Sequence, residues 1–395
     1  ACTLLPNHSF TKMITTPWRS ESWDVNDTLL IENPALDPHV GTYFAGLDEA
    51  DYLPGWHAAR SGGALGPEAQ RAAQIAVEEG HPATPAVTHT DALGRTVYAE
   101  ADNGPGGVYA TWTVLDIEGN TLSVIDARDN AVMTNRYNLL PPPDEETPKP
   151  ALVQESMDGG TKRLLPDVTG NPLYAWDSRG HRAHTIYDAL RRPTRSWVRD
   201  GGEEQLVGLT IYGEAAPAAE ANNLRGQVWM AYDQSGLTET VAVDFKGNPL
   251  ETRRTLAVAY DRIIDWQDDP ADLLQGETFS ARSEYDALNR VIRSLSPHHA
   301  AQPASELRLA YDAGGGLDRV DLRVRGGAWT TYVDGITYDA KGQRQSIRYG
   351  NGVTTRYAYE PETYRLTRLW SERGGDGATL QDLRYAYDPA GNITE

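Results

Sequence analysis

Leu383-Arg384-Tyr385-Ala386-Tyr387-Asp388-Pro389-Ala390-Gly391-Asn392 holds both halves of a unit that recurs along most of this chain. Its first half alternates Leu383, Tyr385 and Tyr387 with other residues, the period of two of a strand with two different faces. Its second half is a turn. Asp in the first position accepts a hydrogen bond from the backbone two residues on, and Gly supplies the positive φ of a type I turn closed by a G1 bulge. Further copies are Asp91-Ala92-Leu93-Gly94, Asp116-Ile117-Glu118-Gly119, Asp167-Val168-Thr169-Gly170, Asp177-Ser178-Arg179-Gly180, Asp244-Phe245-Lys246-Gly247 and Asp339-Ala340-Lys341-Gly342. Asn, Arg, Gln or His follows the glycine. A repeated turn implies a repeated strand pair, so the pattern predicts a long antiparallel sheet of hairpins. Val353, Thr355, Tyr357 and Tyr359 mark another two-faced strand.

Some copies depart from the rule. Asp286-Ala287-Leu288-Asn289 and Asp126-Ala127-Arg128-Asp129 place Asn or Asp where Gly is expected, and both tolerate the left-handed region. Asp188-Ala189-Leu190-Arg191 places Arg there, two residues before Pro193, which implies either strain or another turn type. First turn residues stand about ten positions apart in Asp116 to Asp126 and Asp177 to Asp188, one strand plus one turn.

The chain has 395 residues, with 56 Asp and Glu against 36 Lys and Arg, a formal charge of −20. That balance repels phosphate backbones and argues against a nucleic-acid partner. The single cysteine, Cys2, excludes an internal disulfide framework. No apolar run reaches the length of about 18 residues that a membrane helix needs, so no membrane insertion is expected of this segment. The chain starts without Met and stops at Asn392-Ile393-Thr394-Glu395, a run that begins only four residues after Asp388 opens a turn, which is read as a piece of a longer polypeptide with its next strand cut short. Twenty Tyr and 10 Trp against 4 Phe suit a surface that is apolar on one side and wet on the other, and so a thin curved wall.

Two regions divide the chain. Residues 1–83 read as a mixed strand and helix segment. Phe10, Trp18 and Trp23 suggest one or two strands around Pro17, and two or three short helices are expected between residues 37 and 80. Asp37-Pro38 is expected to open a helix through residue 47, and Gly66-Pro67-Glu68 a second, closed by Gly80 and Pro82. Residues 84–395 carry the strand and turn pattern. Insertions are expected at the proline-rich stretch 141–150, at residues 212–223 and at residues 260–275, the last with Asp269-Pro270 as cap and first turn of a short helix.

The wording of the segments also carries a resemblance. Trp23-Asp24-Val25-Asn26-Asp27, Tyr187-Asp188-Ala189-Leu190-Arg191-Arg192-Pro193, Asn223-Leu224-Arg225-Gly226, Tyr349-Gly350-Asn351-Gly352-Val353 and the opening stretch resemble the Rhs/YD-repeat region of toxin proteins. So does the run from Asn171 to His181. The likeness is to the B component of insecticidal toxin complexes and related virulence-plasmid toxin B proteins, and more distantly to teneurins. It implies a mainly β fold: a long curved antiparallel sheet of YD-repeat hairpins forming part of a hollow shell, with a few short helices near the N-terminus. It further implies a secreted assembly whose shell encloses a C-terminal toxin payload and works with a pore-forming translocation component. The family's aspartyl self-cleavage site lies beyond its last repeats, so no catalytic residue is carried over and no enzyme activity is expected of this segment.

Candidate sites read as structural. His181 and His184 lie beside a turn in a strand region, where residues three apart point to opposite faces and cannot share a metal. His298-His299, beside Pro297, falls in an expected loop. The turn aspartates offer one carboxylate per turn, too few for a calcium array, so they are assigned to turn chemistry. Glu78-Glu79, Glu145-Glu146, Glu203-Glu204 and Asp268-Asp269 read as solvated surface, and Gly106-Gly107, Gly159-Gly160 and Gly314-Gly315-Gly316 as loop glycines. No Gly-x-Ser-x-Gly motif is present. No cofactor or metal is expected. The competing function is an extracellular glycan- or protein-binding β-repeat module using exposed Tyr and Trp.

Overall fold

A computed structural model describes residues 1–80, 82–139 and 149–394. Within these residues twenty-six strands form one sheet. Every strand pairs antiparallel with the next in sequence, from Cys2–Leu4 on Phe10–Thr15 through Leu366–Arg373 on Thr379–Arg384. The sheet is a continuous meander and is not closed on itself. The mainly β expectation holds, and the physical reason is local: each turn motif reverses the chain onto the strand it has just left.

Three buried clusters show where a second layer covers this sheet. One joins Phe10 to Val40, Phe44 and Tyr52, with Phe44 meeting Phe10 and Tyr52 edge to face at 5.1 and 5.2 Å between ring centres. Another joins Trp56 to Ala72, Ala73 and Ala76. The third joins Leu206 and Ala257 to Ile264 and Trp266 of the 258–273 insertion. Elsewhere most strand residues are only half-buried, as in Thr121–Ile125 and Leu317–Arg323. The wall is one sheet thick over most of its length.

The N-terminal segment joins that wall. The hairpin of Phe10–Thr15 and Arg19–Trp23 turns around Pro17, and Arg19–Trp23 pairs with Ala86–Thr90, so the first strands continue the same sheet. Between them lie three helices: α1, Gly41–Phe44; α2, Trp56–Ser61; and α3, Pro67–Glu79. α3 starts at Pro67 and is capped by Gly80, as the sequence predicts. α1 starts later than Asp37-Pro38 suggests. Asp37 does accept the N–H groups of His39 and Val40, but its other oxygen takes the Lys12 ammonium at 2.6 Å, in a pair whose side chains are each 5% exposed. That buried ion pair fixes the segment as a turn, and helical geometry begins only at Gly41.

Other expectations are corrected. His298 and His299 end the strand Val291–His299 and pair with Ser280 and Phe279, so they are not in a loop. Asp188 opens the same turn as its fellows: Arg191 sits at φ 61° in the position Gly usually takes, and its N–H donates to Asp188 O. Gly314-Gly315-Gly316 is not a bare loop but a further copy, opened by Asp312, with Gly315 at φ 90°. The short helix α4, Pro270–Leu273, is capped by Asp269, whose side chain accepts from Ala271 N. The 141–150 insertion lies outside the described residues apart from Lys149 and Pro150, and Glu145-Glu146 lies outside them altogether.

Candidate functional site

In a neighbour-to-neighbour meander, successive turns fall on alternate edges. Counting strands places Asp91, Asp116, Asp167, Asp188, Asp244, Asp286, Asp312, Asp339 and Asp388 along one edge, and Asp126 and Asp177 on the other. The glycines Gly94, Gly119, Gly170, Gly180, Gly247, Gly342 and Gly391 all have positive φ, between 76° and 107°. Each opening Asp accepts the N–H of the residue three on, and those outside the Asp177 turn also donate their own N–H to the carbonyl four residues on, for example Gly391 N to Asp388 O and Asp388 N to Asn392 O. The strand register then slips by one residue, as at Tyr338↔Arg344 and Tyr311↔Leu317. This is the G1 bulge.

The carboxylate does more than cap. One oxygen accepts backbone N–H groups two and four residues on, at 2.8 and 2.9 Å in the Asp188 turn. The other takes the side chain that follows the glycine position: Asn120, Asn171, Asn248 and Asn392 through their amides, Arg95, Arg192 and Arg290 through Nε at 2.7 Å, and His181 through Nδ1. The run of Asn, Arg and His at that position is therefore a lock on the second oxygen. Gln343, one methylene longer than Asn, instead donates to Tyr364 O in the next turn on the same edge.

A second connection runs from turn to turn. Tyr187, Tyr212, Tyr311 and Tyr338, each at the end of a strand, and Tyr387, in an isolated bridge just beyond the last strand, donate their hydroxyls to Pro172 O, Pro193 O, Val291 O, Leu317 O and Leu366 O at 2.7–3.1 Å. Tyr137 and Tyr359 do the same to Thr121 O and Arg344 O. Each acceptor is the first strand residue after the preceding turn on that edge. Arg192 and Arg290 stack on Tyr212 and Tyr311, 3.9 and 4.3 Å from the ring centres. Arg95 donates to Asp116 O and Ile117 O, and Arg365 repeats this toward Asp388 O and Pro389 O. Tyr outnumbers Phe because these positions need the hydroxyl, a reason the sequence reading had placed in the exposed face of the wall.

Replacing Tyr338 by Phe keeps the ring against Gly316 and deletes only the bond to Leu317 O. It is expected to cost about 0.5–1.5 kcal/mol, the net worth of one such bond. Equilibrium urea unfolding checks it, with Tyr260→Phe, at a residue 95% exposed, as the silent control.

The locked carboxylates hold their protons weakly. The hydroxyl of Thr169 lowers Asp167 from 3.8 to about 2; desolvation opposes it, and the backbone N–H groups of Thr169 and Asn171 with the Asn171 amide outweigh that opposition. Hydrogen bonds from Arg95 and Asn120 lower Asp91 and Asp116, and those from Asn248 and Arg290 lower Asp244 and Asp286. A carboxyl depressed in the folded state stabilises above its unfolded pKa, and that contribution is lost as pH falls through the folded value. Stability from these turns is thus expected to be flat above about pH 5 and to fall steadily between about pH 4 and pH 2. Urea midpoints measured across that range check the sign; a midpoint that rose on acidification would contradict it.

On the faces, charges pair both along and across strands. Glu306, 1% exposed, lies between Arg293 and Arg323 at 2.6 and 2.5 Å. Arg253 and Arg282 both reach Glu251, and Arg368 holds Asp382 through two bonds. His181 sits between Asp177 and Asp200, while His184 stacks on Tyr174 at 4.2 Å. Among the described residues no group of three or more His, Cys, Asp or Glu is arranged to hold a metal ion. Among the described residues no helix is long and apolar enough to cross a membrane.

The start and the end of the sheet meet at a seam. Asn26 Nδ2 donates to Asp388 Oδ2 at 3.2 Å, and Ala386 packs on the cluster of Trp56 and the α3 alanines. Arg384 approaches Glu68 at 3.6 Å and Arg60 approaches Glu360 at 3.9 Å. α2 and α3 thus bridge residues separated by more than three hundred positions. A cavity of about 700 Å³ remains between these helices and the last strands.

No protein-family model matches the chain. Among curated proteins it is 30% identical to toxin subunit YenC1 of Yersinia entomophaga over 256 residues, 60% of this chain and 25% of that one. Toxin subunit YenC2 of the same organism is 30% identical over 266 residues, 60% of this chain and 27% of that one. The chain therefore spans about a quarter of the length of these relatives. Among solved structures, TcdB2–TccC3–TEV superposes with a TM-score of 0.78 at 23% identity, covering 99% of this chain and 17% of that one. The Photorhabdus luminescens Tc holotoxin pore superposes at 0.77 with 24% identity, covering 99% and 17%. At that identity the structures speak to the fold, and the fold is theirs over almost the whole chain. In sequence the chain is similar to these toxin subunits, and over almost its whole length its fold is that of the Tc toxin structures, in keeping with the Rhs/YD-repeat resemblance of its turn and strand units.

Proposed function

We propose that the chain is a wall segment of a shell that encloses a toxin polypeptide for delivery. The observation that supports it most directly is the form of the sheet: twenty-six strands in one open meander, one layer thick over most of its length and stitched along an edge. A single layer buries too little apolar surface to be a compact domain, and it leaves two faces that serve as an inside and an outside. The similarity to toxin subunits points the same way, whereas nothing in the relatives favours the glycan-binding module. In this reading the segment acts mechanically and not as a catalyst. Its partners are the rest of the shell, the payload within it and a pore-forming component that receives the payload, and the assembly is secreted.

Limited proteolysis of the intact protein tests this. A carboxy-terminal payload is expected to survive protease while the wall is folded and to be digested once the wall is opened by acid or urea. Digestion of the payload at the same rate before and after opening would contradict encapsulation.

A further inference from the structure

Among the described residues nine large apolar side chains are more than two-thirds exposed, and they are not scattered. Leu93, Ile117, Val168, Leu190, Phe245 and Leu288, 69–92% exposed, sit at the tips of the Asp91, Asp116, Asp167, Asp188, Asp244 and Asp286 turns, all on one edge of the sheet. Leu139, on the connection that follows the strand Ala131–Tyr137, belongs to the same edge, and only Leu36 and Tyr260 lie elsewhere. A single apolar residue on a surface needs no explanation; a row of them does. Turn chemistry does not call for it. The two central positions of a type I turn accept most residues, and the same turn on the opposite edge fills them with Ala127-Arg128 and Ser178-Arg179. The row also stops: the Asp312, Asp339 and Asp388 turns carry only Ala, Gly, Lys and Pro there.

The order of the row is symmetric. Along the edge come two apolar turns, a longer connection at 138–150, two apolar turns, a longer connection at 213–227, and two more apolar turns. A half-turn about an axis through the wall, midway between Val168 and Leu190, brings Leu93 to the place of Leu288, Ile117 to that of Phe245 and Val168 to that of Leu190. The charges suit the same operation. The Asp116 turn, which also holds Glu118, falls opposite the Asp244 turn with its Lys246, and the Asp167 turn falls opposite the Asp188 turn with Arg191 and Arg192. The six turns hold seven carboxylates and five cations, so this rim is close to neutral in a chain of charge −20 and repels a copy of itself little. Fourteen strand spacings make the row about 65–70 Å long, and it is one side chain wide. Such a line matches another rim of the same period better than it matches a compact domain.

We propose that this rim docks on the same rim of a second copy of this chain, the two related by a two-fold axis through the thickness of the wall. Both copies then turn the same face to the same side, and the pair forms a wall of double width. The interface is independent of the encapsulation reading: protection of a payload is read by proteolysis and pairing by mass, so either one fails without the other.

Sedimentation velocity of the intact chain is expected to show a dimer at a concentration on the order of 10 μM. Ile117→Lys and Phe245→Glu, each alone, are expected to raise the dimer Kd at least about tenfold, and the two together to restore it, because the axis sets residue 117 of one copy against residue 245 of the other. Both side chains are exposed, so neither change acts through the fold. Met157→Lys, at an exposed turn on the opposite edge, is expected to leave the dimer unchanged. A monomer at that concentration, no recovery in the double variant, or equal weakening by Met157→Lys would each overturn the proposal. So would pelleting of the chain with phosphatidylcholine vesicles that Phe245→Glu abolishes, which would make a bilayer the occupant of the rim.

Discussion

Gly350→Ala is expected to destabilise the protein by at least about 3 kcal/mol, in the tail of measured single substitutions. A Cβ at Gly350 would lie 1.7 Å from the Thr331 carbonyl oxygen and 2.7 Å from its carbon. Neither atom can move freely, because the strand Trp329–Tyr338 is paired on both sides and Gly350 N itself donates to Tyr332 O at 3.0 Å. Relief would require the register between Trp329–Tyr338 and Arg344–Tyr349 to slip, and a slip exchanges the faces of every side chain in the strand. Gly342, one turn earlier, makes the comparison sharp. It has φ 81° and open space where its Cβ would be, so Gly342→Ala carries only the left-handed penalty of roughly 1–2 kcal/mol. Thermal unfolding of the two variants should rank Gly350→Ala well below Gly342→Ala. The reverse order would mean that backbone conformation, not interstrand approach, limits this hairpin.

The contrast between these two glycines also explains what could be read in the sequence. Gly342 was legible because its reason is local: Asp339 and the four residues after it determine the turn by themselves. Gly350 appeared only as part of a recognisable phrase, since its reason is the carbonyl of Thr331 on another strand. The hairpins, and from them the long antiparallel sheet, follow from local chemistry, so both were visible. The lock on the second Asp oxygen was half visible. Asn, Arg, Gln and His recur after the glycine, and a donor at that position is what Asn120, Arg290 and His181 have in common. The pattern was on the page; its purpose depends on which carboxylate oxygen remains free.

The tyrosine ladder was less legible. The bond from Tyr338 to Leu317 spans twenty-one residues and that from Tyr359 to Arg344 only fifteen, so no fixed spacing announces it. It depends on the rule that alternate turns share an edge, which is a property of the assembled meander. The late start of α1 has a similar origin, because Lys12 on a strand claims the carboxylate that would otherwise cap a helix. Asn26 and Asp388 lie 362 positions apart, and nothing local to either one indicates the other.

That remote contact makes the seam the place where a substitution should act on part of the molecule only. Trp56→Ala is expected to cost about 3–5 kcal/mol, the usual range for removing a large aromatic side chain from a core. Trp56 is 4% exposed and packs on Ala72, Ala73 and Ala76, and Ala386 from the last turn rests on the same cluster. Small alanines at these spacings bring α3 close to the indole and have no bulk with which to refill the space it leaves. Among the described residues the polar ties across the seam include one amide bond from Asn26, the exposed Arg384–Glu68 pair at 3.6 Å, which contributes little, and the part-buried Arg60–Glu360 pair, which at 3.9 Å is close to the limit of an ion pair. The strands depend on none of this, since each is held by its neighbours in the ladder. Hydrogen exchange should therefore quicken in α3 and in residues 385–394 while strands far from the seam, such as Val108–Leu115, keep their protection. Trp18→Ala, at a residue 57% exposed on the first hairpin, should change neither. Uniform loss of protection along the sheet would show that the seam holds the whole wall together; confined loss would make the helices a latch across its two ends.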